Sequence, residues 1–137
     1  MILTDTGPIV ALLDKNDPNH SRCLLTAKML STGALVTTLP CFTEAMYFLA
    51  KEGGYSGQRR LWAMRATGKL IIHAWSEAEL ERMNVLVELY KDTPMDFADA
   101  SLVATAESLG VSEVFTIDRH FYAYRIHSRT PFKVTPG

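Results

Sequence analysis

Four carboxylates, Asp5, Glu44, Asp99 and Asp118, stand where a strand end or the opening turns of a helix ordinarily offer an apolar or neutral residue. If the fold gathers them, each close pair repels by roughly 4 kcal/mol at an effective dielectric of about 20. A divalent cation is the natural remedy. Carboxylate oxygens and water suit hard ions, chiefly Mg2+ or Mn2+, and no His and Cys grouping suggests zinc.

Each acid also has a plainer reading. Asp5 follows an apolar run and precedes Thr6-Gly7-Pro8, so it can help cap a helix; Asp118 follows Thr116-Ile117 and can do the same for a short helix. Asp99 says more. Counting three, four and seven residues onward reaches Leu102, Val103 and Ala106, so the carboxylate heads an apolar helical stripe. A charged side chain is almost never fully buried unless it is paired or binds a metal. The small residues Ala98, Ala100 and Ala104 permit close packing, which directs Asp99 into a cleft. Asp96 falls at the third helical position after a Thr93 cap and Pro94, where an acid chiefly supports the helix start and is also able to hold a water on a metal. Glu44 lies one turn into a helix begun by Pro40, with Tyr47 and Phe48 along its stripe; as a partner for the helix dipole it is worth about 0.3–1 kcal/mol. Capping explains the acids one by one but not their coincidence. Together they favour a site.

The elements that must position them alternate short apolar runs with longer helical stretches, the pattern of a parallel sheet covered by helices on both faces. Strands are expected at 2–4, 35–38, 70–74 and 114–116, with a fifth at the sheet edge over 132–134. Thr6 caps a first helix from about Pro8; Asp17-Pro18 starts a second that runs to about Leu30. Pro40 opens a third, ended by Gly53-Gly54, and Ser56 caps a fourth, basic one that ends near Gly68. Ser76 with Glu79 forms a capping box for a helix to about Lys91, Thr93-Pro94 begins another that ends at Gly110, and a short helix covers 121–124. In such sheets ligands bind beyond the carboxyl ends of the strands, at the switch point. Asp5 and Asp118 flank that crevice if the first and fourth strands are neighbours.

At 137 residues the chain fits one compact domain, 1–137, without repeats or interdomain linker. Hydrophobic residues at 47% and charged residues at 21% place it in the ordinary globular range, and fourteen Lys plus Arg against fifteen Asp plus Glu give a formal charge of -1. Attraction to phosphate must therefore be local. Two concentrations of positive charge are available: Arg59, Arg60, Arg65 and Lys69, and the run Arg119, His120, Arg125, His127 and Arg129 after Asp118. Tyr122 and Tyr124 are able to stack on unpaired bases, although core packing explains them as well or better. Cys23 and Cys41 are expected to be reduced, structural thiols. Without a basic, apolar leader or the roughly 20 apolar residues that span a bilayer, the protein is expected in the cytoplasm, off the membrane. The chain has no GxSxG, GxxxxGK[ST] or GxGxxG segment, which lowers the prior for serine hydrolases, P-loop enzymes and dinucleotide oxidoreductases.

One or two divalent ions among such acids could activate a water, hold a phosphodiester for in-line attack and stabilise the departing oxygen, the logic of metal-dependent nucleases. With that chemistry in view, the chain resembles PIN-domain proteins, and more narrowly the VapC-type toxin ribonucleases. The resemblance is carried in order by Asp5-Thr6-Gly7-Pro8-Ile9 after a strand, Glu44 in the helix after the second strand, Met95-Asp96-Phe97-Ala98-Asp99-Ala100-Ser101-Leu102-Val103-Ala104, and Thr116-Ile117-Asp118. It implies a three-layer α/β/α fold around a central parallel sheet of four to five strands. It also implies that Asp5, Glu44, Asp99 and Asp118 surround Mg2+ or Mn2+, that Asp96 assists, and that Thr6 and Thr116 support the site. The implied partners are an RNA substrate, a cognate antitoxin protein and a second copy in a homodimer. Two other readings stay open: a noncatalytic PIN-like protein-binding module, and phosphoryl transfer through an aspartyl intermediate at Asp5. The latter chemistry places a second acid two residues on, where this chain has Gly7.

Overall fold

A computed structural model describes residues 1–30 and 33–137. In chain order the elements are β1 (Ile2–Thr4), α1 (Thr6–Leu13), α2 (His20–Met29), β2 (Leu35–Thr38), α3 (Leu39–Ala66), β3 (Leu70–His73), α4 (Glu77–Leu89), α5 (Phe97–Leu109) and β4 (Glu113–Phe115). A 3-10 turn over Arg119–Tyr122 follows, then β5 (Arg125–Ile126), β6 (Thr130–Pro131) and β7 (Lys133–Thr135). Five strands form one parallel sheet in the order β3-β2-β1-β4-β7. The chain first adds strands on one side of β1 and then crosses to add β4 on the other, so the switch point falls between β1 and β4, with Leu3 opposite Val114 and Thr4 opposite Phe115. That is the adjacency the two strand-end acids require.

Alternation along the strands feeds two layers of helices. Leu3, Val36 and Val114 point to one face, where they meet Met83 and Leu86 of α4 and the run of α5 from Ala98 to Ala106. Ile2, Leu35 and Phe115 point to the other, against α1, α2 and α3. The period of two in a buried strand and the small residues of α5 are the sequence features behind this. Every residue of α5 from Ala98 to Ala106 is buried, so Asp99 is carried inward with the alanines.

Several boundaries differ from expectation. Asp5, not Thr6, caps α1: its side chain accepts from the Thr6 N–H, and Thr6 is the first helical residue. α2 begins at His20 because Asp17 accepts from the Asn19 N–H and closes a turn instead. Likewise α5 starts at Phe97 with Asp96 as its cap, so Asp96 is not the third residue of a Thr93-capped helix. The two helices expected on either side of Gly53-Gly54 form one kinked element. Gly54 (φ 60°, ψ -148°) breaks it in a conformation that only glycine adopts readily. At the kink the second arm folds back on the first, and a Cβ at Gly57 would stand 2.5 Å from the Leu49 carbonyl oxygen. The capping box at Ser76 and Glu79 is formed as expected.

After the 3-10 turn a small antiparallel hairpin, β5 with β6, was not expected. His127 and Ser128 at its tip take positive φ (50° and 60°), and Glu107 of α5 holds the tip by accepting from the His127 N–H (2.7 Å) while paired with Arg82 (2.8 Å). No helix among the described residues is long and apolar enough to cross a membrane.

Candidate active site

The carboxyl end of the sheet opens into a cleft of about 590 Å³ lined by Asp5, Glu44, Asp96, Asp99 and Asp118, and also by Asp14, Asp17 and Glu52. Asp5 enters from the end of β1, Asp118 from just past β4, Asp99 from the first turn of α5 and Glu44 from the first arm of α3. One oxygen from each of Asp5, Asp99 and Asp118 lies within 4.8 Å of the other two. Around Mg2+ at 2.0–2.1 Å, octahedral oxygens stand about 3.0 Å apart when adjacent and about 4.2 Å when opposite. The cluster's spacing, up to 4.8 Å, suits an ion held partly through its own waters, and its donors are all hard oxygens. The residues fit a hard divalent cation. Glu44 lines the same cleft but stands outside the tight cluster.

Hydroxyl groups aim the acids. Thr116 Oγ1 donates to Asp5 Oδ2 (2.9 Å) and accepts from the Asp118 N–H (3.0 Å), so one side chain ties both strand-end acids together. Thr6 Oγ1 donates to Glu44 Oε1 (2.7 Å), linking α1 to α3. Asp96 and Asp99 cap each other reciprocally: the Asp99 N–H donates to Asp96 Oδ1 (2.8 Å) and the Asp96 N–H to Asp99 Oδ2 (3.2 Å). The Tyr124 hydroxyl lies 3.1 Å from Asp99 Oδ2 and also contacts the Pro94 carbonyl. Asp118 Oδ1 accepts from the His120 N–H (2.9 Å) and faces the His120 ring (3.0 Å). The capping duties foreseen for Asp5, Asp96 and Asp118 are therefore all performed, and they coexist with convergence on one cleft.

Burial dominates the electrostatics. It raises the Asp5 carboxyl to about 6 against the opposing donors Thr6 and Thr116, and the charges of Asp118 and Glu44 push the same way. Asp99 is raised to about 7, first by burial and next by the Asp96 charge; Asp5 adds to this, and the Asp96 N–H and Tyr124 oppose it. Burial and the Asp99 charge push the Tyr124 hydroxyl upward, so it stays a protonated donor. The buried Cys41 thiol is pushed up to about 12 by burial, with the Asp5 charge next, which leaves it an unreactive thiol beside the site.

The basic and aromatic expectations divide. Tyr124 is fully buried, packed edge-on against Tyr90 and Phe121, and cannot stack on a base; its contact with Asp99 is what the sequence did not disclose. Tyr122 is exposed. Arg125 spends its guanidinium on the Tyr122 and Tyr124 carbonyls, and Arg59, Arg60, Arg65 and Lys69 are exposed but line no part of the acidic cleft. Gly7 lets α1 approach the loop after β4: a Cβ there would sit 2.9 Å from Ile117 Cγ1.

An acidic crevice at the switch point of a five-stranded parallel sheet lies where such folds bind ligands, and its oxygen donors are chemically suited to a hard cation. The PIN domain family matches residues 2–126, and the chain belongs to that family. It is similar to Ribonuclease VapC26 of Mycobacterium tuberculosis, with 28% identity over 139 residues that take in 98% of this chain and 100% of that protein. Among solved structures it shares the fold of M. tuberculosis VapC20, described as a toxin that cleaves the sarcin-ricin loop, with a TM-score of 0.78 at 16% identity over 86% of this chain and 90% of that one. It shares it too with a chain of a toxin-antitoxin complex from Klebsiella pneumoniae, with a TM-score of 0.64 at 24% identity over 97% and 99%.

Proposed function

We propose that this chain, acting as one domain over 1–137, is a Mg2+- or Mn2+-dependent endoribonuclease and the toxin of a cytoplasmic toxin-antitoxin pair. The observation that carries the reading is the approach of Asp5, Asp99 and Asp118 oxygens to within 4.8 Å of one another in a cleft that Glu44 also lines. Asp5, Glu44, Asp99 and Asp118 would hold the ion. When bound, the ion supplies the positive charge that draws in a phosphodiester and steadies the oxyanion formed on cleavage. The chain's own residues set the stage for it. Thr116 fixes Asp5 relative to Asp118, Thr6 fixes Glu44, and the Asp96–Asp99 reciprocal cap with Tyr124 fixes Asp99. Asp96 lines the cleft and its Oδ2 makes no hydrogen bond among the described residues, so it would be free to accept from a water there.

RNA as substrate and an antitoxin as partner are supported by the named activity of the VapC26 relative and by the Klebsiella complex. A homodimer is the proposed assembly, to be read by sedimentation. The test of the central reading is cutting of RNA by purified protein in Mg2+ or Mn2+, its loss in EDTA, and its loss by about 100-fold or more in Asp5→Asn and Asp99→Asn variants that keep the native circular dichroism spectrum. Cutting that is unaffected by EDTA or by both substitutions rejects the mechanism. Mapping the cut sites on total cellular RNA identifies the target.

A further inference from the structure

The acidic cleft has a deficit that its chemistry alone does not cure: its described lining includes eight carboxylates and neither lysine nor arginine. An ion neutralises one phosphate at the centre, but the neighbouring phosphates of a bound strand need cations of their own. A second cleft of about 290 Å³ adjoins the first and shares Ile117 and Asp118 with it as a common wall. Its lining also takes in Arg22 from α2, Arg119 and Tyr122 from the 3-10 turn, and Thr116, Val134, Pro136 and Gly137. Both arginines are exposed, and neither forms an ion pair among the described residues. Tyr122 is 53% exposed, and its ring packs against no other described aromatic ring. A cleft of this size, near the lower end for small-molecule sites, has room for about one nucleotide.

We propose that this groove binds the nucleotide next to the scissile phosphate of single-stranded RNA, with Arg22 and Arg119 meeting its phosphates and Tyr122 stacking on its base. The inference rests on the RNA-cutting reading and deepens it. It locates on one side of Asp118 the positive charge that the acidic cleft lacks, and it draws that charge from two elements far apart in sequence. Unpaired guanidinium groups beside an exposed ring match the phosphate-and-stack pattern by which single strands are held.

The test is fluorescence anisotropy of a labelled single-stranded RNA of about 12 nucleotides on the full chain in Mg2+, in an Asp99→Asn background so that the strand stays intact. The double variant Arg22→Gln/Arg119→Gln is expected to raise the dissociation constant about tenfold or more and to lower the slope of its logarithm against log salt by about 1.4, two phosphate contacts at about 0.7 each. Tyr122→Ala is expected to raise it about tenfold. Arg59→Gln/Arg60→Gln, on the other basic segment, leaves it unchanged. Unaltered binding in the groove variants, an equal loss in the Arg59/Arg60 control, or displacement of the RNA by a polyglutamate peptide of equal affinity overturns the assignment, the last by giving the groove to an acidic polypeptide. In the chain with Asp99 restored, the groove variants should raise KM and leave kcat. If that chain cuts no RNA while the groove variants still lose binding, the nuclease reading fails and the groove stands; if it cuts RNA and the groove variants bind normally, the groove alone fails.

Discussion

Asp99→Asn should make the metal-free protein more stable, and the gain should grow with pH. In an unfolded chain an aspartate titrates near 3.9; in the fold Asp99 is raised to about 7 and Asp5 to about 6. At about 1.4 kcal/mol per pH unit, ionising Asp99 inside the cleft costs about 4 kcal/mol and ionising Asp5 about 3 kcal/mol. The sign follows from proton counting. Both folded pKa values are raised, so between about pH 4 and pH 7 the native state holds protons that the unfolded chain has released, and stability falls as pH rises. It is fully present below the unfolded pKa and is lost through about 6 and about 7. An asparagine at 99 removes the larger part of this loss. It gives up one acceptor oxygen among the Asp96 and Tyr124 donors, at about 1 kcal/mol, so the net gain at pH 8 is about 2–3 kcal/mol. Urea unfolding in EDTA at pH 5 and pH 8, wild type against variant, measures it directly. Saturating Mg2+ should stabilise the wild type, by about 2.7 kcal/mol at a hundred times its dissociation constant, and should stabilise Asp99→Asn far less. A wild type whose metal-free stability is flat from pH 5 to pH 8, or a variant with the same slope, would refute the claim that burying ionised carboxylates, with their neighbours' charges adding to the cost, strains this cleft.

Thr116→Val removes the hydroxyl that links Asp5 to Asp118 and should weaken divalent-ion affinity about 10- to 100-fold, read by isothermal calorimetry, with the fold kept. Gly7→Ala pushes a methyl to 2.9 Å from Ile117 Cγ1, next to Asp118; catalytic rate should drop about tenfold with a stability loss of about 1 kcal/mol, seen by comparing kinetics with thermal melts. Gly57→Ala drives a Cβ to 2.5 Å from the Leu49 carbonyl oxygen, where backbone cannot give way cheaply, and should cost about 2–3 kcal/mol of stability. Its ion affinity per folded molecule should be unchanged.

The parts of the fold that local chemistry controls were readable in the chain. The alternation of apolar runs and helices announced the parallel sheet, and the Ser76-to-Glu79 spacing announced its capping box because both partners lie within one turn. The apolar stripe behind Asp99 announced that this acid points inward, for which buried α5 is the physical counterpart. What escaped depended on partners distant in sequence. Thr6 reads as a cap, yet its hydroxyl is drawn to Glu44, 38 residues away, and Asp5 takes the capping role. Thr93-Pro94 reads as a helix start, but the Pro94 carbonyl is engaged by Tyr124 and Asp96 does the capping. Tyr124 itself carries no local mark that separates a ring packed in the core from one that also steadies a carboxylate. The β5–β6 hairpin is too short to show a strand period, and its positive-φ tip is held by Glu107 from another element. Arg22 drew no notice because its neighbours in the groove lie nearly a hundred positions onward.

The Thr116-to-Asp5 hydrogen bond spans 111 residues of chain, and that span gives the molecule a built-in delay. During synthesis β1 is made before β4, its neighbour on one side in the sheet, and cannot pair with it until β4 too has left the ribosome. Asp118 follows still later. A nascent chain therefore cannot close the acidic centre until the polypeptide through Asp118 has been made and has left the ribosome.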